Sequence, residues 1–297
     1  DFLPNNEVKL PDFVIPAGET ADSALERFCL EGLRQLKLHN NKEYTDRLGL
    51  ELGVISDRGF SKYFLTMNQI SINANETMLA GPGRGSAAGS LVAYVLNITQ
   101  VDPLKYGLQF SRFLRADAKD YPDIDYDVAD SMELKESLIK KWGKDKVAPI
   151  SNWNTLQLKS LVKDISKFYQ IPFKEVNEVT NIMMSEAIGP AKLKNGIKTG
   201  IYSPTFDEVM EFSTTLQNFL TKYPHVKTHV ESLYGQVRSC SRHAGGVVVG
   251  ENLNKRMPLI NSGGITQTPW SEGQNVRHLE PMGFIKFDLL GLSTLKM

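Results

Sequence analysis

A mixed α+β fold is predicted from three features and the order in which they occur. The turn Gly81-Pro-Gly-Arg-Gly-Ser-Ala-Ala-Gly-Ser90 runs directly into the apolar, helix-length stretch 91–96. Pro122-Asp-Ile-Asp-Tyr-Asp127 then alternates carboxylates with apolar side chains, the period of a strand with one polar face. A long lysine-rich helical tract follows. The chain then returns to strand at Val247-Val-Val249 and again at Phe284-Ile-Lys-Phe-Asp-Leu-Leu290, where charge recurs at i, i+2. Few strands with helices segregated around them define the α+β class.

Taken in order, residues 1–20 are proline-rich and read as an extended linker leading to Thr20, a helix cap. Positions 25, 28, 29, 30, 33 and 36 form one apolar helical stripe, and 44, 48, 50, 52 and 55 a second. After the Gly59 break, 63–70 is apolar scaffold. The span 131–150 is predicted helical, followed by an amphipathic helix over 155–169 and a third from Ile171-Pro172 to about Met184. Residues 189–202, with Gly189 and Pro190, are expected as loop. Helix resumes over 206–234, interrupted at Pro224, and 241–249 breaks into strand.

The bulk properties bound the partners. The 297 residues are long enough for two domains, and 41% hydrophobic with 23% charged residues is ordinary globular composition. Net charge is zero, which excludes a uniformly basic coat but not a local patch. Residues 131–200 carry twelve lysines against seven acidic side chains, a local excess of five. The two cysteines, Cys29 and Cys240, have no metal or redox spacing and suit a reducing compartment. With no run long enough to span a membrane and no leader before the first helix, a cytoplasmic location is expected, bacterial or, for a phage-encoded chain, in the host. Opening on Asp1 suits a segment of a longer product.

The chemistry concentrates between 81 and 127. Glycines let backbone N–H groups turn toward an anion, and the helix after Ser90 is expected to aim its N-terminus at the same point. Arg84 and Ser86 add a guanidinium fork and a hydroxyl. Asp123 and Asp125 share a strand face, and two adjacent carboxylates repel unless a cation lies between them. A phosphate cradle followed by paired aspartates points to phosphoryl or nucleotidyl transfer. Lys286 and Asp288 repeat the pattern in an apolar strand, where each charge needs a partner.

These residues also carry a family resemblance. Gly81–Tyr94, then Asp102-Pro-Leu-Lys-Tyr106, Arg112-Phe-Leu114, Pro122-Asp-Ile-Asp125, Arg242-His-Ala-Gly-Gly-Val-Val248 and Thr266-Gln267 resemble the C-family bacterial replicative DNA polymerases, the alpha subunits of DNA polymerase III. The resemblance implies a palm of the DNA polymerase β nucleotidyltransferase type, in two parts at 1–151 and 241–297, with a helical thumb inserted at 152–240. It implies DNA-templated DNA synthesis, with Asp123, Asp125 and Asp288 holding two Mg²⁺ ions (Mn²⁺ able to substitute). Arg84, Gly85, Ser86, Arg112 and Lys286 would meet the nucleotide's phosphates, and Lys159, Lys163 and His243 the DNA. Implied partners are primer-template DNA, deoxynucleoside triphosphates, a chain or region carrying the polymerase fingers, and other replisome subunits; no membrane is implied. Two departures mark a divergent, phage-like or split member: Trp153-Asn-Thr155 replaces the family's Phe-Gly-Thr, and the basic pair after the aspartate strand is missing or reduced to Lys135. A template-independent nucleotidyltransferase and a non-catalytic DNA-binding assembly subunit are the alternative readings.

Overall fold

The computed structural model describes residues 6–273 and 276–296. In chain order the helices and strands are α1 (Ala21–Gln35), α2 (Lys42–Asp57), α3 (Ser61–Thr77), α4 (Leu91–Val95), β1 (Asp125–Val128), α5 (Ser131–Trp142), β2 (Val147–Thr155), α6 (Leu158–Phe168), α7 (Phe173–Lys194), α8 (Phe206–Phe212), α9 (Thr214–Lys222), α10 (Pro224–Leu233), β3 (Val237–Val249), α11 (Leu253–Arg256), β4 (Ile260–Ser262), β5 (Ile265–Gln267) and β6 (Lys286–Gly291). The α+β class stands: a mixed four-stranded sheet in the order β1-β6-β3-β2, a small β4–β5 hairpin, and helices. No described helix is long and apolar enough to cross a membrane.

The described chain forms two compact units. One runs to Asn152 and resumes at Ser241; the other is Trp153–Cys240. In the first, β1 lies parallel to β6 with Asp125 opposite Asp288, and β3 lies antiparallel to β6 with Gly246 opposite Asp288. The pleat sends Ile124, Tyr126, Phe287 and Leu289 to the apolar side, where they join the core made with α1–α5. The charged members of the same strands are left on the opposite face. Tyr63 of α3 closes the core under this spot, its ring stacked on Phe287 at 5.1 Å.

The second unit has its own core. Leu161, Val162 and Ile165 of α6 pack with Val176, Val179 and Met183 of α7 and with Phe219, Leu220, Val226 and Val230 from α9 and α10.

Several boundaries differ from those expected. Residues 6–20 are not a free linker, because Leu10 and Val14 are buried in the first core. The helix expected over 131–150 stops at Gly143, whose φ of +104° breaks it, and Val147–Thr155 is strand β2. The loop expected at 189–202 begins later, because α7 continues through Gly189 and Pro190 to Lys194. Ala187 and Ala191 are fully buried along that extension, and tertiary burial outweighs the local cost of the proline. Strand β3 begins at Val237, ahead of the expected 241. Thr20 caps α1 as expected, accepting a hydrogen bond from the Ser23 N–H at 3.1 Å.

Candidate metal centre

Three backbone decisions bring three carboxylates together. Tyr63 Oη accepts the Ile124 N–H at 3.1 Å, which fixes the approach to β1 in an extended form with Ile124 buried. That turns Asp123 and Asp125 to the opposite side, although Asp123 lies just before the strand and not within it. The parallel register then sets Asp288 beside Asp125. One carboxylate oxygen from each of Asp123, Asp125 and Asp288 falls within 4.8 Å of the other two.

The electrostatics are those of an uncompensated anionic cluster. Burial holds the carboxyls of Asp123 and Asp125 above the usual range, and the neighbouring Asp288 pushes both further. Lys286 lies 2.8 Å from Asp288 Oδ2 and opposes this only in part. Asp288 Oδ1 is buried with no hydrogen-bond donor among the described residues. Converging carboxylates with an orphaned buried oxygen suit a hard divalent cation, whose ligands are oxygens and whose charge relieves the repulsion.

The glycine-rich turn lies on the same unit, with one part of its expected role overturned. The first N–H groups of α4 do not face outward. Leu91 N–H and Val92 N–H donate to the fully buried Glu51 at 2.9 and 3.0 Å, and Ala93 N–H donates to Ser90 Oγ. A protein carboxylate already occupies this helix start, so it is closed to phosphate. Arg47 pairs with Glu51 at 2.7 Å and donates to the Gly89 and Leu108 carbonyls, tying α2 to both neighbouring loops. What remains exposed is the outer edge of the turn: Gly85, Ser86 and Arg112 line one cleft. Arg112 makes no ion pair among the described residues. Arg84 is held instead by Asp127, the third carboxylate of the strand motif.

The other expected contacts divide. Lys286 pairs with Asp288, so it serves the acidic cluster directly. His243 is half-buried, and its Nδ1 accepts the N–H groups of Gly245 and Gly246 at 3.2 and 2.7 Å. That assigns it to shaping β3 and leaves Nε2 for any outside partner; burial holds its pKa below the ordinary value. In the second unit Lys159 is exposed, whereas Lys163 donates to Asn177 Oδ1 at 2.9 Å.

Buried charges beyond the acidic trio include Glu51, which the sequence reading passed over, and Lys135, named there only as the remnant of a basic pair. Glu51 occupies the apolar stripe Leu48–Glu51–Ile55 of α2, and Lys135 the stripe Leu134–Leu138 of α5. A charge on a buried helical face is the signal that marks both. Lys135 donates to the His243 and Ala244 carbonyls at 3.1 and 2.8 Å, and burial lowers its pKa to about 8.

Comparison with known proteins bears on the chain as a whole. Residues 23–291 match the family model described as the bacterial DNA polymerase III alpha NTPase domain. The chain is 36% identical over 296 residues to the DNA polymerase III subunit alpha of Bacillus subtilis, covering 98% of this chain and 25% of that protein. It is 35% identical to the Borreliella burgdorferi subunit over 97% of this chain and 24% of that protein, and 32% identical to the Aquifex aeolicus subunit over 99% and 27%. The chain thus spans about a quarter of the length of these relatives.

Proposed function

Because the chain belongs to the bacterial DNA polymerase III alpha family, we propose that its acidic trio is the metal-holding centre of DNA-templated nucleotidyl transfer. The observation that carries this reading is the meeting of Asp123, Asp125 and Asp288 within 4.8 Å. In it the first unit is a palm of the DNA polymerase β type and residues 153–240 are the thumb. Asp123, Asp125 and Asp288 would hold two Mg²⁺ ions, with Mn²⁺ able to replace them. Bound there, such ions supply activation of a primer 3′-hydroxyl and neutralisation of the departing pyrophosphate.

The protein's own residues supply position and charge. Tyr63, by holding the Ile124 N–H, keeps Asp123 and Asp125 turned to the same side. Lys286 orients Asp288 through their 2.8 Å contact and keeps one cation beside the developing negative charge. Arg84, Gly85, Ser86 and Arg112 receive the triphosphate of the incoming deoxynucleotide. Lys159 and Lys163 meet DNA phosphates without reading sequence. His243 acts through the β3 backbone. A fingers region, on this polypeptide's continuation or on another chain, covers the nascent base pair, and other replisome subunits are the further partners.

The test is primer extension in Mg²⁺ with the fingers-bearing region supplied. Asp125→Ala should lose turnover by at least ~10³-fold while keeping duplex affinity within about threefold, because the carboxylate acts in the reaction and not in the grip. Retained turnover in that variant would remove the two-metal reading.

A further inference from the structure

We infer that Asp127 is a positioning residue that aims the Arg84 guanidinium at the triphosphate. This inference rests on reading the glycine–serine turn as the triphosphate site. Neither Asp127's burial nor its partner follows from a metal-ligand role. Its side chain is 7% exposed and stands apart from the acidic trio, yet it belongs to the same strand. Two residues along β1 from Asp125, it projects to the same face about 6.6 Å further on.

The contact is one-sided in a way that suits delivery. Arg84 Nε donates to Asp127 Oδ2 at 3.2 Å, and Nη2 lies 3.2 Å from Oδ1. That engages one edge of the guanidinium. Only Nε makes a hydrogen bond here, Asp127 Oδ1 accepting none among the described residues, so four of the five guanidinium N–H groups stay unbonded. The arginine side chain is 44% exposed over a carboxylate that is almost wholly buried. A buried anion holds one edge of an exposed guanidinium, on the residue that precedes Gly85 and Ser86 in the turn.

The backbone enforces the same arrangement. Gly81 N–H donates to the Asp127 carbonyl at 2.8 Å, and Ala80 bridges to Val128. A Cβ on Gly81 would meet the Asp127 Cβ at 2.8 Å, so only glycine lets the turn close on the strand here. Arg84 sits three residues beyond this weld. Its charge is felt at Asp125, where it offsets part of the repulsion from Asp288. The turn and the acidic strand are therefore locked in register, and Asp127 sets the direction of the Arg84 side chain.

A positioning role predicts non-additivity, which a merely structural ion pair does not. The probe is inorganic triphosphate with Mg²⁺, titrated into the chain and followed by ³¹P NMR, which detects millimolar binding without DNA or fingers. Arg84→Met should weaken binding about tenfold and Asp127→Asn about fivefold, and the double variant should be no weaker than Arg84→Met alone. Additive losses, or an Asp127→Asn chain that binds equally or more tightly, overturn the inference; the latter would mean that Asp127 competes with the ligand for Arg84. If Asp127→Asn fails to fold, Arg84→Lys at the exposed partner carries the test: it keeps the charge but not the fork, and unchanged affinity would also overturn it. A wild-type chain that does not bind triphosphate at all removes the triphosphate reading and this inference together.

Discussion

Asp123 and Asp125 have carboxyls raised above the ordinary range by burial and by Asp288, and that fixes the sign of their effect on stability. A group whose folded pKa is raised binds protons more tightly in the folded state. Its contribution is fully present below the unfolded pKa and is lost as pH rises through the folded value. The metal-free protein should therefore lose stability as pH climbs from the ordinary carboxylate range through the elevated one, and Mg²⁺ should restore it by binding the folded state. Asp123→Asn removes one of the repelling charges. Because Asp123, though partly desolvated by its neighbours, keeps much of its own surface in solvent, the gain is damped: a rise in Tm of about 1–2 °C without divalent cation, and loss of most of the Mg²⁺-induced rise. Thermal scans with EDTA and with Mg²⁺ check both halves; an undiminished Mg²⁺ effect in Asp123→Asn would place the cation elsewhere.

At the scale of elements, the short helix α4 is held by a residue from a different helix. Glu51 of α2 accepts from Ser90 Oγ and from two backbone N–H groups of α4, and its charge is balanced by Arg47. Glu51→Ala would leave those donors and the Arg47 guanidinium without their acceptor. Breaking a buried pair in this way costs about 3–5 kcal/mol. Urea unfolding should show a clear fall in midpoint, and a change under 1 kcal/mol would mean that water replaces the carboxylate. Helix α7 shows the opposite balance. Its Gly189-Pro190 pair is a strong local stop signal, but burial of Ala187 and Ala191, together with Glu186 holding Ser213 and Thr215, carries the helix past it.

For the molecule as a whole, the second unit contains an apolar core of its own, and among the described residues four acidic–basic ion pairs have both partners inside it. Among them are Lys222–Glu175 and Lys194–Glu211. Residues 153–240 expressed alone should therefore unfold cooperatively, with the far-ultraviolet circular dichroism of a helical domain. If this unit is the DNA grip proposed above, its affinity for duplex DNA should fall roughly 10–100-fold between about 50 and 200 mM salt, the slope expected for a few phosphate contacts. Binding that is flat over that range would remove the grip from this unit, whatever the first unit does.

Much of the chemistry was legible before any tertiary contact was known. Asp123, Asp125 and Asp288 announce themselves because the strand period of two places charge and apolar side chains on opposite faces, and that period is a local property of the backbone. The Thr20 cap and the apolar stripes of α1 and α2 are local in the same sense. Other features depend on which elements meet. The meeting of Asp288 with Asp125 is a matter of parallel register between strands more than 150 residues apart. The closure of the α4 start by Glu51, the capture of Arg84 by Asp127 and the placing of Lys135 beneath the β3 carbonyls are decided by packing. A one-dimensional pattern shows that a charge lies on a buried face. Only the packed fold supplies its partner, because desolvation makes pairing obligatory without saying which neighbour will provide it.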